Sequence, residues 1–124
     1  MEGADHRVVF NAFGMSIIHI WFKRSYPLPR HSHDSDCLYY IIAGSLRLGT
    51  EELTVGDGFF LPANVPYTYT AGPNGVELIE FRSSESFDYR DLTGKAFWER
   101  ALRLTIENRE AWRQASRPSG TVLE

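Results

Sequence analysis

The chain has 124 residues, 43% of them hydrophobic, 23% charged and 14% aromatic, with a formal net charge of −3. That length sets a single domain with a core of its own, and the charge balance offers no electrostatic case for nucleic acid or an anionic membrane. A lone cysteine excludes an internal disulfide. Without a basic-then-apolar leader in MEGADHRVVF, or an apolar run near the roughly 20 residues of a membrane helix, the expectation is a soluble, cytoplasmic domain.

In chain order, VVFNAF and MSIIHIWF open a series of β-rich runs. LYYIIAG, SLRLG, ELTV, GFFLP, YTYT and VELIEFR continue it through the first ninety residues. Turn-formers punctuate the series: Pro27, Pro29, Gly44, Gly49-Thr50, Gly56-Asp57-Gly58, Pro62, Pro66 and Gly72-Pro73-Asn74-Gly75. Many short strands without intervening helices indicate an antiparallel sandwich or barrel. SLRLG-TEE-LTVG reads as a tight hairpin.

The character changes near Asp91. KAFWERALRLTIENREAWRQ, from Lys95 to about Gln114, predicts a helix with Phe97, Ala101, Leu104, Asn108 and Ala111 near one face. Trp98, Leu102 and Trp112 fall beside that face, Thr93 is a candidate cap, and Glu99–Arg103 is an i,i+4 pair worth ~0.3 kcal/mol. The expected organisation is a β-domain over residues 1–90, an amphipathic helix within 91–116, and a loose tail over 117–124. The helix packs on the β-domain or on a dimer partner.

The richest stretch is His31-Ser32-His33-Asp34-Ser35-Asp36-Cys37. Histidines at i and i+2 of an extended segment share a face, roughly 7 Å apart. Two imidazoles so placed, with the only cysteine four residues on, form half of a metal site.

These residues resemble the cupin family. Its first motif, G-x5-H-x-H-x3-E-x6-G, falls on Ser25, His31, His33, Cys37 and Gly44 with spacing intact. Its second, G-x5-P-x-G-x2-H-x3-N, falls on Gly56, Pro62, Asn64, Tyr67 and Ala71. The resemblance spans roughly residues 15–82. It implies an all-β fold, an antiparallel double-stranded β-helix (the cupin jelly-roll barrel), here with a C-terminal α-helix. It also implies a metal on the two histidines, a glutamate and a second-motif histidine, and a homodimer. In this chain Cys37 stands for the glutamate and Tyr67 for the histidine.

Three readings of the pocket stand side by side. In the first, His31, His33 and the Cys37 thiolate hold zinc, copper or iron, with Tyr67 as a weak ligand or a proton-handling catalytic group. The reaction would then be an isomerase, lyase or oxygenase step on a small organic acid. In the second, the site is degenerate, holds no metal, and binds or senses a small organic ligand, with Tyr39, Tyr67 and Tyr69 as walls and hydroxyl handles. In the third, Cys37 is a reactive thiol, as in the cysteine dioxygenases this position resembles; its bland counterpart is a buried filler.

His19, sharing a face with Ile17 and Trp21, and Glu80, sharing one with Leu78 and Arg82, are further pocket candidates. Glu77 replaces Glu80 if the register is opposite. Asp34 and Asp36 read as solvated loop charges, and Asp57 as a turn residue.

Overall fold

The computed structural model describes residues 2–120. Strands β1 (Ala4–Ala12), β2 (Met15–Phe22), β3 (His31–Ser32), β4 (Cys37–Leu48), β5 (Glu51–Thr54), β6 (Gly58–Leu61), β7 (Thr70–Arg82) and β8 (Arg90–Asp91) precede helix α1 (Lys95–Gln114). A six-stranded antiparallel sheet runs β1-β2-β7-β4-β5, with β6 also paired to β4, and β3 with β8 forms a second sheet. The two sheets stay separate, where the sequence suggests one closed barrel. Facing β3 is Tyr67, in an isolated antiparallel bridge with His31.

Strand periodicity sorts side chains onto two faces. On the inner face, the register aligns Val8, Ile18, Glu80 and Tyr39 in one transverse row across β1, β2, β7 and β4. Ser16, Arg82 and Cys37 form the next row toward the sheet's end. Ile18, Ile20, Phe22, Ile41, Leu78 and Val76 fill the core around them. The outer face carries a row of partly or fully exposed apolar residues, Phe10, Ile17, Phe81, Leu38 and Phe60, matched one to the next across five strands.

The hairpin expected around Gly49-Thr50 is present, with Leu48 opposite Glu51. YTYT, by contrast, does not form a strand of its own, and β7 continues through Gly72-Pro73-Asn74-Gly75 rather than stopping there. The four residues are accommodated as an irregularity opposite Gly44 to Leu46, where a proline costs no ladder bond. Gly44 and Gly75 take positive φ angles of 76° and 78°. A Cβ on Gly44 would lie 2.1 Å from the Gly75 carbonyl oxygen, so glycine is obligatory. Two motif positions where the family pattern has glycine, Ser25 and Asn64, also hold left-handed backbone, at φ 58° and 66°.

Helix α1 covers the span predicted but buries a narrower stripe. Ala101, Asn108 and Trp112 are buried, whereas Trp98 and Leu102 face solvent. Gly94 is the N-cap and has no side-chain cap; Thr93 is engaged instead with Asp91. Lys95–Glu99 forms in place of Glu99–Arg103 as the helix's i,i+4 pair. Trp112 anchors the helix: it is fully buried, donates its indole N–H to Arg24 O at 2.8 Å and packs on Tyr26. The segment after the helix is tied down as far as it is described, rather than loose from Arg117. Arg117 pairs with Asp5, and the Ser119 amide donates to Glu77; residues 121–124 of the expected tail lie outside the described residues.

Trp112→Ala is expected to lower unfolding free energy by about 3–5 kcal/mol, the usual cost of removing a buried aromatic. Trp98→Ala, on the exposed side, is expected to cost under ~0.5 kcal/mol. Urea unfolding of both variants beside the parent checks the pair.

Candidate functional site

The inner face and the segments opposite it enclose a cavity of about 260 Å³. Glu80, Arg82 and Tyr39 come from the sheet, His31 and His33 from β3 and the residue after it, and Tyr67 and Tyr69 from the stretch before β7. Phe87 and Tyr89, ahead of β8, close one side, with Tyr89 stacked on His31 at 4.7 Å between ring centroids. Val8, Ile18, Ile20 and Leu28 make the opposite end apolar.

One hydrogen-bonded chain crosses the polar end. Arg82 Nε donates to Glu80 Oε1 at 2.9 Å, and Tyr39 donates to the same oxygen at 2.9 Å. The Tyr39 and Tyr67 hydroxyls are bonded to each other, and Tyr67 is 3.1 Å from His33 Nε2. Arg82 Nη2 lies 3.4 Å from that same nitrogen. Both histidines are oriented by carbonyls: His31 Nδ1 bonds Pro29 O at 2.7 Å and His33 Nδ1 bonds Asp88 O at 2.6 Å, so each Nδ1 carries a hydrogen.

Glu80–Tyr39, Tyr39–Tyr67 and Tyr67–His33 are three links, and the two phenols supply two hydrogens. Arg82 Nη2, facing His33 Nε2, places a further donor beside the chain.

Burial sets the charge states of the walls. It pushes Tyr39, Tyr67 and Tyr69 well above the ordinary phenol range, with the Glu80 charge adding to the effect, so all three are neutral phenols. Burial lowers the His31 pKa below its ordinary value. Desolvation opposes the Arg82 charge, but Glu80 more than offsets it, and Arg82 stays cationic.

Several sequence expectations need correction. His19 does not reach the cavity: it lies on the outer face, its Nε2 2.8 Å from Glu77 Oε2. Glu77 shares that face, which leaves Glu80 as the inward carboxylate. Cys37 is buried among core residues and does not line the cavity; its thiol donates weakly to Ser35 O at 3.6 Å. Burial, then the nearby Glu80 charge, raises its pKa from 9.0 to about 11, which disfavours the thiolate that a ligand or nucleophile needs. His31, His33, Tyr39, Tyr67, Tyr69 and Glu80 do converge.

The expected metal centre does not fit this donor set. Among the described residues, no three His, Cys, Asp or Glu side chains form a group able to hold a metal ion. His33 Nε2 is engaged by Tyr67 and faces a guanidinium. A dication on that nitrogen would sit within about 5.5 Å of Arg82, a repulsion of about 6 kcal/mol at an effective dielectric of 20, of which Glu80 offsets a part.

Arg82, Phe87, Tyr89 and His6 line the cavity without having been singled out from sequence. Arg82 was signalled by sitting two residues from Glu80 on one strand face. Phe87 and Tyr89 lie in an irregular stretch with no periodicity to read.

No protein-family model matches the sequence, and no curated protein matches it. Solved structures do. An RmlC-like cupin from Shewanella frigidimarina is similar at 23% identity and a TM-score of 0.59, over 71% of this chain and 81% of that one. The fold is that of the cupins. The polyketide cyclase RemF of Streptomyces resistomycificus is 19% identical with a TM-score of 0.66, over 75% of this chain and 73% of that one. KdgF from a Halomonas species is 20% identical with a TM-score of 0.56, over 67% of this chain and 81% of that one. Within this cupin fold, the second-motif position Tyr67 carries a phenol hydrogen-bonded to His33 and Tyr39.

The Cys37 shift fixes a sign for alkaline stability. Unfolded, the thiol ionises near 9.0; folded, it ionises at about 11. The folded state thus binds the proton more tightly, and this contribution is lost as pH rises from 9 to 11. Cys37→Ala is expected to flatten the fall in stability between pH 9 and 10. The fall that remains above pH 10 belongs to the buried tyrosines. Urea midpoints of parent and variant over that range check it.

Proposed function

We propose that this cupin binds a small, partly aromatic organic acid in the inner cavity and moves a proton on it without a metal, as an isomerase or lyase. The observation that carries the reading is the hydrogen-bonded His33–Tyr67–Tyr39–Glu80 chain, set against Arg82. The Arg82 guanidinium is the cation that a ligand's carboxylate meets at the polar end. Arg82 uses only part of its five-donor fork on Glu80, Asp88 and His33, so hydrogens remain for a carboxylate. Tyr69, Phe22 and Tyr89 flank the space left for the rest of the ligand. With the acid group on Arg82, Tyr67 is the hydroxyl placed to give or take the substrate proton, and the chain restores it from His33 or Glu80.

The size of the cavity agrees with this, since about 260 Å³ is slightly below the usual range of small-molecule sites. One similar structure is that of a polyketide cyclase, which supports a reaction on a small organic molecule within this fold. A purely binding role for the same cavity is the competing reading, and turnover separates the two.

Solvent exchange into candidate acids tests the proposal. In D2O, the untagged protein is expected to wash deuterium into the activated C–H of a bound aryl keto or hydroxy acid, with no change on adding zinc or chelator. Tyr67→Phe is expected to slow exchange by about 10²-fold or more while binding persists. Stoichiometric metal lost together with activity on chelation, or full exchange by Tyr67→Phe, would sink it.

A second copy of the chain is the partner we propose for the outer row of Phe10, Ile17, Phe81, Leu38 and Phe60. The row is apolar from end to end, hence self-complementary, and carries no charge to keep two copies apart. Leu38→Lys with Phe81→Lys is expected to convert a dimer to a monomer in sedimentation, with the fold retained.

A further inference from the structure

Behind the sheet, away from the inner cavity, β2 and the end of α1 enclose a second hollow of about 640 Å³. Trp21 and Trp112 form part of its walls, and Lys23, Arg24 and Arg117 bring three positive charges to it; no acidic side chain among the described residues lines it. Lys23 Nζ lies 4.8 Å from the centre of the Trp21 ring system and the Arg117 guanidinium 5.0 Å from it. The cleft is thus opposite in sign to the chain as a whole, whose formal net charge is −3.

Part of this arrangement has a structural explanation. Lys23 donates to Trp112 O at the end of the helix, and Arg117 is held by Asp5 at one end of its guanidinium. What this leaves over is a surplus of donors. Arg117 Nε is buried with no hydrogen-bond partner. Neither the Trp21 indole N–H nor the exposed Arg24 side chain has a hydrogen-bond partner among the described residues. Gly75 keeps the space beside that indole open, since a Cβ there would come within 3.3 Å of Trp21 Nε1.

We propose that this cleft is a second binding site, for an aryl carboxylate or a similar anion carried on a flat ring. Unpartnered donors on two cationic side chains call for an oxyanion. The indole wall calls for a ring that stacks, and the Trp21 N–H supplies a further donor to the acid group. The site is separate from the inner cavity and does not rest on the function proposed for it.

Indole N–H resonances give a local readout, because Trp21, Trp98 and Trp112 are the only tryptophans in the sequence and none lines the inner cavity. Titration of the full chain with sodium benzoate is expected to move the Trp21 resonance saturably and leave that of Trp98 in place. Benzamide, the neutral counterpart, is expected to bind at least tenfold more weakly. Arg117→Gln is expected to weaken benzoate tenfold or more. Arg24→Gln, at an exposed position with no hydrogen-bond partner among the described residues, is expected to weaken it about threefold. A shift that never saturates, equal responses to benzamide and benzoate, or benzoate binding indifferent to both arginine variants would overturn the proposal.

Discussion

Burying Glu80 and Arg82 side by side on the inner face of β7 is the constraint around which the site is arranged. Two ions taken out of water cost several kcal/mol each, and a close pair recovers this only when the remaining donors and lone pairs are also satisfied. Here one carboxylate oxygen accepts from both Arg82 and Tyr39, and the rest of the guanidinium faces Asp88 O and His33. Satisfying the pair therefore recruits β4, the stretch before β7, the residue after β3 and the segment before β8. Removing one partner would leave the other uncompensated, a loss of about 3–5 kcal/mol. A well-packed apolar pair would be cheaper, so the ions are retained at a cost to stability, as expected where they serve chemistry.

Strand alternation made much of this legible in advance. His31 and His33 could be placed on one face, and Glu80 grouped with Arg82, from period two alone. Both cupin motifs kept their spacing, including the left-handed positions where Ser25 and Asn64 stand for glycine. What alternation does not convey is which face is inward. Glu77 and Glu80 are three residues apart and so lie on opposite faces, and a one-residue slip would exchange them. The pairing of Tyr39 with Glu80 across β4 and β7 settles the matter, and that is a long-range contact with no local signature. The same holds for Cys37. Its spacing suited a metal ligand, yet its surroundings, and not its spacing, keep it a neutral thiol.

The two faces show how similar ingredients serve different ends. Outside, His19 and Glu77 form a buried imidazole–carboxylate contact, and the second Glu77 oxygen is closed off by the Ser119 amide. Both oxygens of Glu77 are thereby engaged, and the contact ties the C-terminal segment to the sheet. Inside, His33 and Glu80 are held apart by two phenols and open onto a cavity. The difference lies in what stands between base and acid.

Tyr67 is where the two family ligand substitutions are best understood together. A histidine at that position would offer a lone pair to a metal; a phenol offers a hydrogen and accepts one. With Cys37 protonated in the core, neither substituted position supplies an anionic or imidazole donor, and the carboxylate that does face inward, Glu80, is bound to a guanidinium. The positive charge that a metal would bring is already present as Arg82. The two histidines are held by backbone carbonyls over an aromatic cavity beside that cation. Under the function proposed above, the cation fixed to the strand would polarise a bound acid and the neutral phenols would handle its proton.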